Sequence, residues 1–350
     1  MASGHIRCGT VGMADTQLQD WHDRALQLEQ EVERAVIGLA RQIRLVNVAV
    51  FARGHVLLEG DVGVGKTTLL RAVARAIGGC YERVEGTIDL MPSDLVYYTY
   101  INEAGRPRVS PGPLLKHGDA LSVFFFNEIN RARPQVHSLL LRAMAERRIT
   151  AFNREHELPH LQIFADRNRL EREETFELPS AARDRFMMEL LIELPEDREL
   201  QRQLMFDTRF ADADALIAGV RPGVLDYQGL NRFSAHLQGE IQASPTLQHY
   251  ALDICRATRD PQHYGVVIDD VDMGHVVEAG MSPRATGMLL RAARVVAWLR
   301  GGTAVLPEDL HAVFRETAAH RIVFRPVYEM RRAEIASRLV TQILEQVCVP

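Results

Sequence analysis

Cysteine is scarce in this chain. Its four residues, Cys8, Cys80, Cys255 and Cys348, stand far apart, with no CxxC pair and no Cys/His spacing suited to a metal. That pattern speaks against a disulfide framework or a zinc module, and reduced thiols in a cytosol-like compartment are expected. Long apolar runs are missing too. None approaches the roughly 18 residues that a membrane-crossing helix needs, and the first 25 residues hold no uninterrupted apolar segment like that of a secretory signal. Positive charge is not in excess: 41 Lys and Arg stand against 46 Asp and Glu, for a net charge of −5. A general nucleic-acid binder usually shows a basic surplus or stripe. No internal repeat or low-complexity segment is visible. What is present suits a globular protein: 47% hydrophobic and 25% charged residues exclude disorder and collagen-like repetition. At roughly 150 residues per domain, 350 residues point to two domains. A soluble, cytoplasmic protein with neither membrane nor nucleic acid as partner is the expectation.

Residues 1–25, with Gly4, Gly9 and Gly12 among polar neighbours, read as a loose tail running into a helix. Trp21, Ala25, Leu28 and Val32 recur at helical spacing, and after Gly38 so do Leu39, Ile43, Val46 and Val50. Val56-Leu57-Leu58, bounded by Gly54 and Gly60, is the pattern of a buried strand. A helix from Leu69 to Ile77 follows, stopped by Gly78-Gly79. Further strands are expected at Leu121 to Phe126, Leu161 to Ala165 and Phe186 to Leu194, with a helix from Pro134 to Arg147. Strands alternating with helices indicate a parallel, doubly wound sheet. Beyond Pro195 helical periods dominate. The clearest spans residues 284–300, with Ser282 as cap, Pro283 in the first turn and Gly301 at the end. The expected organisation is a tail (1–25), an α/β core (26–195), a smaller all-helical domain (196–325) and a C-terminal helix (326–350).

One segment carries chemistry of its own. Gly60-Asp61-Val62-Gly63-Val64-Gly65-Lys66-Thr67 fits GxxxxGK[ST] between a buried strand and a helix. The glycines let successive backbone N–H groups turn toward phosphate oxygens at the positive end of the helix. Lys66 supplies a point charge to the β and γ phosphates, and the Thr67 hydroxyl ligates Mg²⁺. ATP and Mg²⁺ are therefore the expected cofactors. Some sixty residues on, Val123-Phe124-Phe125-Phe126 ends in Asn127-Glu128. At the carboxyl end of a neighbouring strand Glu128 faces the γ-phosphate, placed to deprotonate the attacking water.

The order of phosphate loop, hydrophobic strand with Asn-Glu, and helical domain resembles AAA+ ATPases. The detailed text resembles their MoxR branch. The matching stretches include Gly54-His55-Val56-Leu57-Leu58-Glu59-Gly60, Asp89-Leu90-Met91-Pro92-Ser93-Asp94, Asn127-Glu128-Ile129-Asn130-Arg131-Ala132, Asp184-Arg185-Phe186 and Ser282-Pro283-Arg284-Ala285. The resemblance implies an AAA+ parallel-sheet domain followed by a helical lid. It makes Gly60 to Thr68, through Asp61, Val62, Gly63, Val64, Gly65, Lys66 and Thr67, the Walker A segment, and Phe124 to Glu128 the Walker B segment. Asn168 falls at the sensor-1 asparagine, Arg185 at the arginine finger that enters a neighbouring subunit, and Arg284 at the sensor-2 arginine, expected to report nucleotide state to the lid. Val36-Ile37-Gly38 lies where relatives hold adenine. A homohexameric ring, a partner with a von Willebrand factor A domain, and a client metalloenzyme, nominally methanol dehydrogenase, are likewise implied. So is a chaperone-like role in metal or cofactor insertion. A nearly static ATP-binding switch, a chelatase-type motor subunit and a DNA-acting regulator stand as alternatives.

The departures from the family are informative. Walker B normally ends in Asp-Glu, and Asn127 stands at the aspartate's position, where it meets the metal through water without a charge. Slow hydrolysis follows, since loss of such an outer partner costs roughly 10- to 100-fold, and Asn127→Asp is expected to raise turnover. Asp166-Arg167-Asn168-Arg169 stands where relatives have Thr-Gln-Asn-Pro. Residues 96–110 and 148–165 read as two hairpin insertions, the first rich in tyrosine (Tyr97, Tyr98, Tyr100), which in relatives project toward the ring pore. His156-Glu157-Leu158-Pro159-His160 spells HExxH, but Pro159 is incompatible with the helix that this zinc motif requires. Asp269, Asp270 and Asp272 read as a solvated turn.

Overall fold

A computed structural model describes residues 11–168 and 176–350. The chain opens on α1 (Val11–Ala35) and α2 (Ala40–Phe51), enters β1 (His55–Glu59) and turns through α3 (Lys66–Ile77) into β2 (Cys80–Glu85). The short α4 (Pro92–Val96) leads to a hairpin of β3 (Tyr97–Ile101) and β4 (Pro107–Pro111). Next come β5 (Leu121–Asn127), α5 (Pro134–Glu146), a second hairpin of β6 (Arg148–Ala151) and β7 (Arg154–Glu157), then β8 (Gln162–Arg167), α6 (Ser180–Arg183) and β9 (Phe186–Leu191). The remainder is mostly helical: α7 (Arg198–Phe206), α8 (Ala213–Gly219), α9 (Leu230–Glu240), α10 (Pro245–Ala257), α11 (Pro283–Leu299), α12 (Pro307–Ala318), α13 (Pro326–Glu329) and α14 (Arg332–Gln346). A small antiparallel pair, β10 (Val277–Ala279) and β11 (Val323–Phe324), is set among these helices.

Five strands form one parallel sheet in the order β2-β5-β8-β1-β9. The apolar runs of β1 and β5 are buried because helices cover both faces. Val56, Leu58, Phe125 and Phe164 face the layer of α1, α2 and α3, while Leu57, Phe124, Phe126 and Ile163 face the layer of α5. β2 was not among the expected strands. It is the sheet's edge, and its sequence, Cys-Tyr-Glu-Arg-Val-Glu, carries no apolar run because no residue of it is fully buried.

Two expectations are revised by packing. The helix α1 begins at Val11, so residues 11–25 are not a tail, while residues 1–10 lie outside the described residues. Trp21 stacks on Phe233 of α9 with ring centroids 4.7 Å apart and meets Phe51 of α2 edge-on at 6.1 Å. Phe51 and Phe233 both contact Trp298 of α11. One aromatic cluster thus ties the first helix, the core and the helical part, and the apolar core runs through all three. The second revision concerns 148–165: the hairpin ends at Glu157, and the residues from Gln162 belong to the central strand β8. Its turn places Phe152 and Asn153 at φ 52° and 58°. His156 accordingly sits on a strand, which removes the helical HExxH geometry, and among the described residues no group of His, Cys, Asp and Glu is arranged to hold a metal.

The helix read from the sequence at 284–300 is α11, whose first turn is capped as expected: Ser282 Oγ accepts from the Ala285 N–H at 3.1 Å. The acidic residues 269–272 form a turn in which Asp270 has φ 64°, and Asp272 pairs with His275 at 2.9 Å. Among the described residues no helix is long and apolar enough to cross a membrane.

Candidate functional site

The loop joining β1 to α3 passes over the carboxyl end of the sheet, where open α/β folds receive ligands. Gly63 and Gly65 have φ 82° and 90°, in the left-handed region where a side chain is strained. Gly60 is needed for a different reason: a Cβ there would lie 2.3 Å from the Ile192 carbonyl. Gly65 is also the N-cap of α3 and brings no side-chain acceptor, so the first N–H groups of the helix are not capped by a side chain. Such a helix start favours an anion. Val62 forms the exposed tip of the loop, and Thr67 and Thr68 are half-buried on the first turn of α3. A methyl of Val36 lies 3.8 Å from the position a Cβ on Gly65 would take, so Val36-Ile37-Gly38 borders the loop.

Lys66 is buried, with its ammonium folded against the loop. It donates to Gly60 O (2.6 Å), Asp61 O (3.0 Å) and Asn168 Oδ1 (3.0 Å), and lies 3.6 Å from Asp166 Oδ2. The same Asn168 donates through Nδ2 to Glu128 Oε1 at 3.1 Å. Lys66, Asn168 and Glu128, read from three separate stretches of sequence, therefore form one hydrogen-bonded chain. Glu128 holds φ 52°, a costly conformation for a residue with a side chain, of the kind that clusters at functional sites. Its Oε2 accepts from Arg131 at 2.8 Å. A buried lysine resting on carbonyl oxygens, beside uncapped helix N–H groups, is an arrangement that suits a phosphate-bearing ligand, and Thr67 follows Lys66 on the first turn of α3.

Asn127 is nearly buried, and its amide Nδ2 donates to Glu85 Oε1 at the end of β2. Glu85 in turn accepts from Arg83 at 2.9 Å. The sequence reading missed two carboxylates here, Glu85 and Asp166. Asp166 is 1% exposed, and its Oδ1 accepts from the Glu128 N–H at 2.6 Å. Burial pushes its carboxyl above the usual carboxylate range, while the Glu128 N–H and Lys66 pull it back. An acid directly after the buried run Ile163-Phe164-Ala165 was the available signal. Beside it, Arg167 points to the other face of the sheet and bridges Glu59 and Glu189 at 2.8 and 2.9 Å. A cavity of about 810 Å³ opens beside Arg167, reaching Asn168 and Gln42 of α2, and no residue of the loop from Gly60 to Thr67 lines it.

Arg185 and Arg284 are not brought to this cluster. β9 runs parallel to β1 with Leu191 opposite Glu59, so Arg185 lies six residue steps before the level of the phosphate loop. At about 3.3 Å per residue that is about 20 Å, beyond the reach of an arginine side chain. Arg185 donates to Ala181 O at 2.8 Å, and its Nε is buried without a partner. Arg284 donates to Asp184 Oδ2 at 3.1 Å, beside Arg185. Arg284, expected to report nucleotide state to the lid, is held here by Asp184 and touches none of Lys66, Asn168 and Glu128. Its ion pair holds it at the amino end of the sheet, near Arg185.

Comparison with known proteins agrees with this architecture. Residues 55–188 match the ATPase family associated with various cellular activities (AAA), and residues 274–343 match the AAA lid domain. The chain is 55% identical over 341 residues to Protein MoxR of Methylorubrum extorquens, covering 97% of this chain and 99% of that one. It is 52% identical over 336 residues to Protein MoxR of Paracoccus denitrificans (96% and 99% covered). To Chaperone MoxR1 of Mycobacterium tuberculosis it is 31% identical over 332 residues (91% and 81% covered). Among solved structures, an ATPase candidate from Cytophaga hutchinsonii superposes with a TM-score of 0.83 at 26% identity, covering 97% of this chain and 99% of that one.

Proposed function

Because the chain belongs to the MoxR family and is an AAA ATPase, we propose that it works as a Mg²⁺-dependent ring in which each subunit's nucleotide site is completed by its neighbour. The observation that carries this reading is the division of these polar residues between two ends of one sheet. Lys66, Asn168 and Glu128 converge at the carboxyl end, whereas Arg185 and Arg284 sit together at the amino end, about 20 Å away.

In this mechanism Lys66 leaves the carbonyls of Gly60 and Asp61 and takes the β and γ phosphate oxygens. The Thr67 hydroxyl, and Asn127 through water, would hold Mg²⁺, which when bound neutralises charge on those oxygens. Glu128 Oε1 takes a proton from the attacking water, which Asn168 orients. As the new O–P bond forms, the bond from the γ phosphorus to the bridging oxygen breaks, and ADP and phosphate leave. Arg185 of the neighbouring subunit stabilises the charge developing on the γ-phosphoryl, a contribution of roughly 10³ to 10⁵ in rate in related phosphoryl transfers. Arg284 enters the same neighbour beside it.

The work done is chaperone-like remodelling of a client metalloenzyme, nominally methanol dehydrogenase, in company with a von Willebrand factor A-domain protein. Support comes from the MoxR resemblance and from the chaperone name of the mycobacterial relative. The hairpins offer the contact surface: Tyr98, Tyr100 and Ile101 are exposed, and Tyr97 meets Phe152 of the second hairpin at 4.9 Å between ring centroids.

Mixing two inactive variants tests the ring. Lys66→Ala lacks a usable loop and Arg185→Ala lacks the finger, so each alone is expected to be inactive. Together they recover hydrolysis at interfaces that pair an intact loop with an intact arginine. If mixed rings form by mass photometry and no activity returns, the shared site is wrong. For the client, a pull-down with the ATP-trapped Glu128→Gln variant is expected to bring down an A-domain protein, and nucleic acid in its place would overturn the remodelling reading.

A further inference from the structure

The geometry points to a relocated carboxylate: we infer that Asp166 supplies, through water, the negative charge toward Mg²⁺ that Asn127 cannot. The inference rests on the nucleotide site proposed above and assigns a positioning role within it.

Three neighbouring strands end side by side at this site. Glu85 of β2 pairs in register with Asn127 of β5. Phe126 of β5 pairs with Ala165 of β8, so the next residues along, Asn127 and Asp166, are neighbours. Alternation along the strands puts all three side chains on one face, the face that Phe125 and Phe164 share with α3. The row therefore reads carboxylate, amide, carboxylate, with neighbouring strands about 4.8 Å apart. β8 lies between β5 and the phosphate-loop strand β1, so the carboxylate has moved one strand closer to the loop.

The contacts separate the two acids. Glu85 has a half-exposed side chain, and its oxygens are taken by Asn127 and Arg83. Asp166 is buried against the catalytic groups themselves. One oxygen receives the Glu128 N–H at 2.6 Å, and the other stands 3.6 Å from the Lys66 ammonium. When Lys66 moves to the phosphates, that second oxygen loses its cation and faces the same space as the amide oxygen of Asn127. Since Glu85 holds the NH₂ of that amide, its carbonyl oxygen is left as an acceptor for metal-bound water. A charged acceptor and a neutral one then share the task that a single aspartate performs in the Asp-Glu form of the motif. Metal ligands are held by such outer partners, whose loss lowers affinity by roughly 10- to 100-fold.

The test uses the full chain and calorimetric binding of a non-hydrolysable ATP analogue, with MgCl₂ or with EDTA. In wild type, affinity is expected to be higher with the metal. Asp166→Asn, which keeps an acceptor for the Glu128 N–H, and Asp166→Thr are each expected to reduce that metal-dependent gain by about 10- to 100-fold. Binding in EDTA is the reference for each variant, so that a change in the Lys66 contact, common to both buffers, is separated from the metal-dependent gain. The double variant Asn127→Asp, Asp166→Thr returns the carboxylate to the Walker B strand and is expected to restore the gain. Electron paramagnetic resonance of Mn²⁺ in the analogue complex gives a second reading, with weaker Mn²⁺ binding in both single variants. An unchanged metal gain in Asp166→Asn, an equal loss with and without metal, or a double variant no better than the single one overturns the inference while leaving the nucleotide site standing. If wild type binds no analogue in either buffer, the site reading fails and takes this inference with it.

Discussion

Asn127→Asp is the substitution that family resemblance most strongly recommends, and the structure predicts that by itself it harms the protein. It converts the row of Glu85, Asn127 and Asp166 into three adjacent carboxylates and removes the amide hydrogen bond to Glu85. Two unit charges about 4.8 Å apart repel by roughly 3.5 kcal/mol at an effective dielectric constant of about 20. The Glu85 side of this repulsion is discounted, since that carboxylate is half-exposed and screened by solvent. The Asp166 side is buried and dominates. Proton uptake limits the total, so a loss of about 2–4 kcal/mol in unfolding free energy is expected at pH 7.5. The sign of its pH dependence follows. The introduced carboxyl has its folded pKa raised above the unfolded value, so its penalty is full above the folded pKa and shrinks as pH falls through it. Urea denaturation of wild type and variant at pH 7.5 and pH 5 should show the gap narrowing at the lower pH, and ATP turnover at pH 7.5 should not exceed that of wild type. An equally stable variant, or one that hydrolyses ATP faster, would refute the reasoning and reinstate the simpler view that Asn127 merely slows the enzyme.

Other consequences are open to measurement. Glu128→Gln should retain nucleotide binding by calorimetry and lose about 10²- to 10⁴-fold in turnover, because the proton acceptor is removed and the loop is not. Stability should fall with acid through two buried histidines. Burial holds His55 down at about 3 against an ordinary 6.5, and pushes His320 in the same direction. With folded pKa values depressed, the unfolded chain takes up protons first as pH falls below 6.5, so each histidine costs about 1.4 kcal/mol per pH unit. The slope between pH 6.5 and 5 should flatten in His55→Gln, and an unaltered slope would show that the imidazole is not the cause. Trp21→Ala should cost about 3–5 kcal/mol, as expected for deleting a buried aromatic. Hydrogen exchange should then rise in α9 and α11 as well as in α1, since Phe51 and Phe233 lose a shared partner and both pack on Trp298.

Much of the site was legible in the sequence. The spacing of Gly60, Gly63, Gly65 and Lys66 specifies a local backbone path, and local geometry needs no knowledge of the rest of the chain. The helices read from Trp21 to Val32 and over 284–300 rest on the same ground, because a period of apolar residues is set by the element that displays it. The strand β2 was hidden because edge position removes the apolar run by which buried strands are recognised.

Sequence alone determined the phosphate-binding turn, the two-part α/β and helical order, and the acid at Glu128, since each is encoded in a short contiguous stretch. Only the tertiary structure decided which residues surround Asn127 and where Arg185 and Arg284 lie. Glu85, Asn127 and Asp166 are scattered in sequence, and they become neighbours because parallel strands place residues of like register side by side. The two arginines are separated from Lys66 by the length of a strand, a distance that no spacing in the chain records.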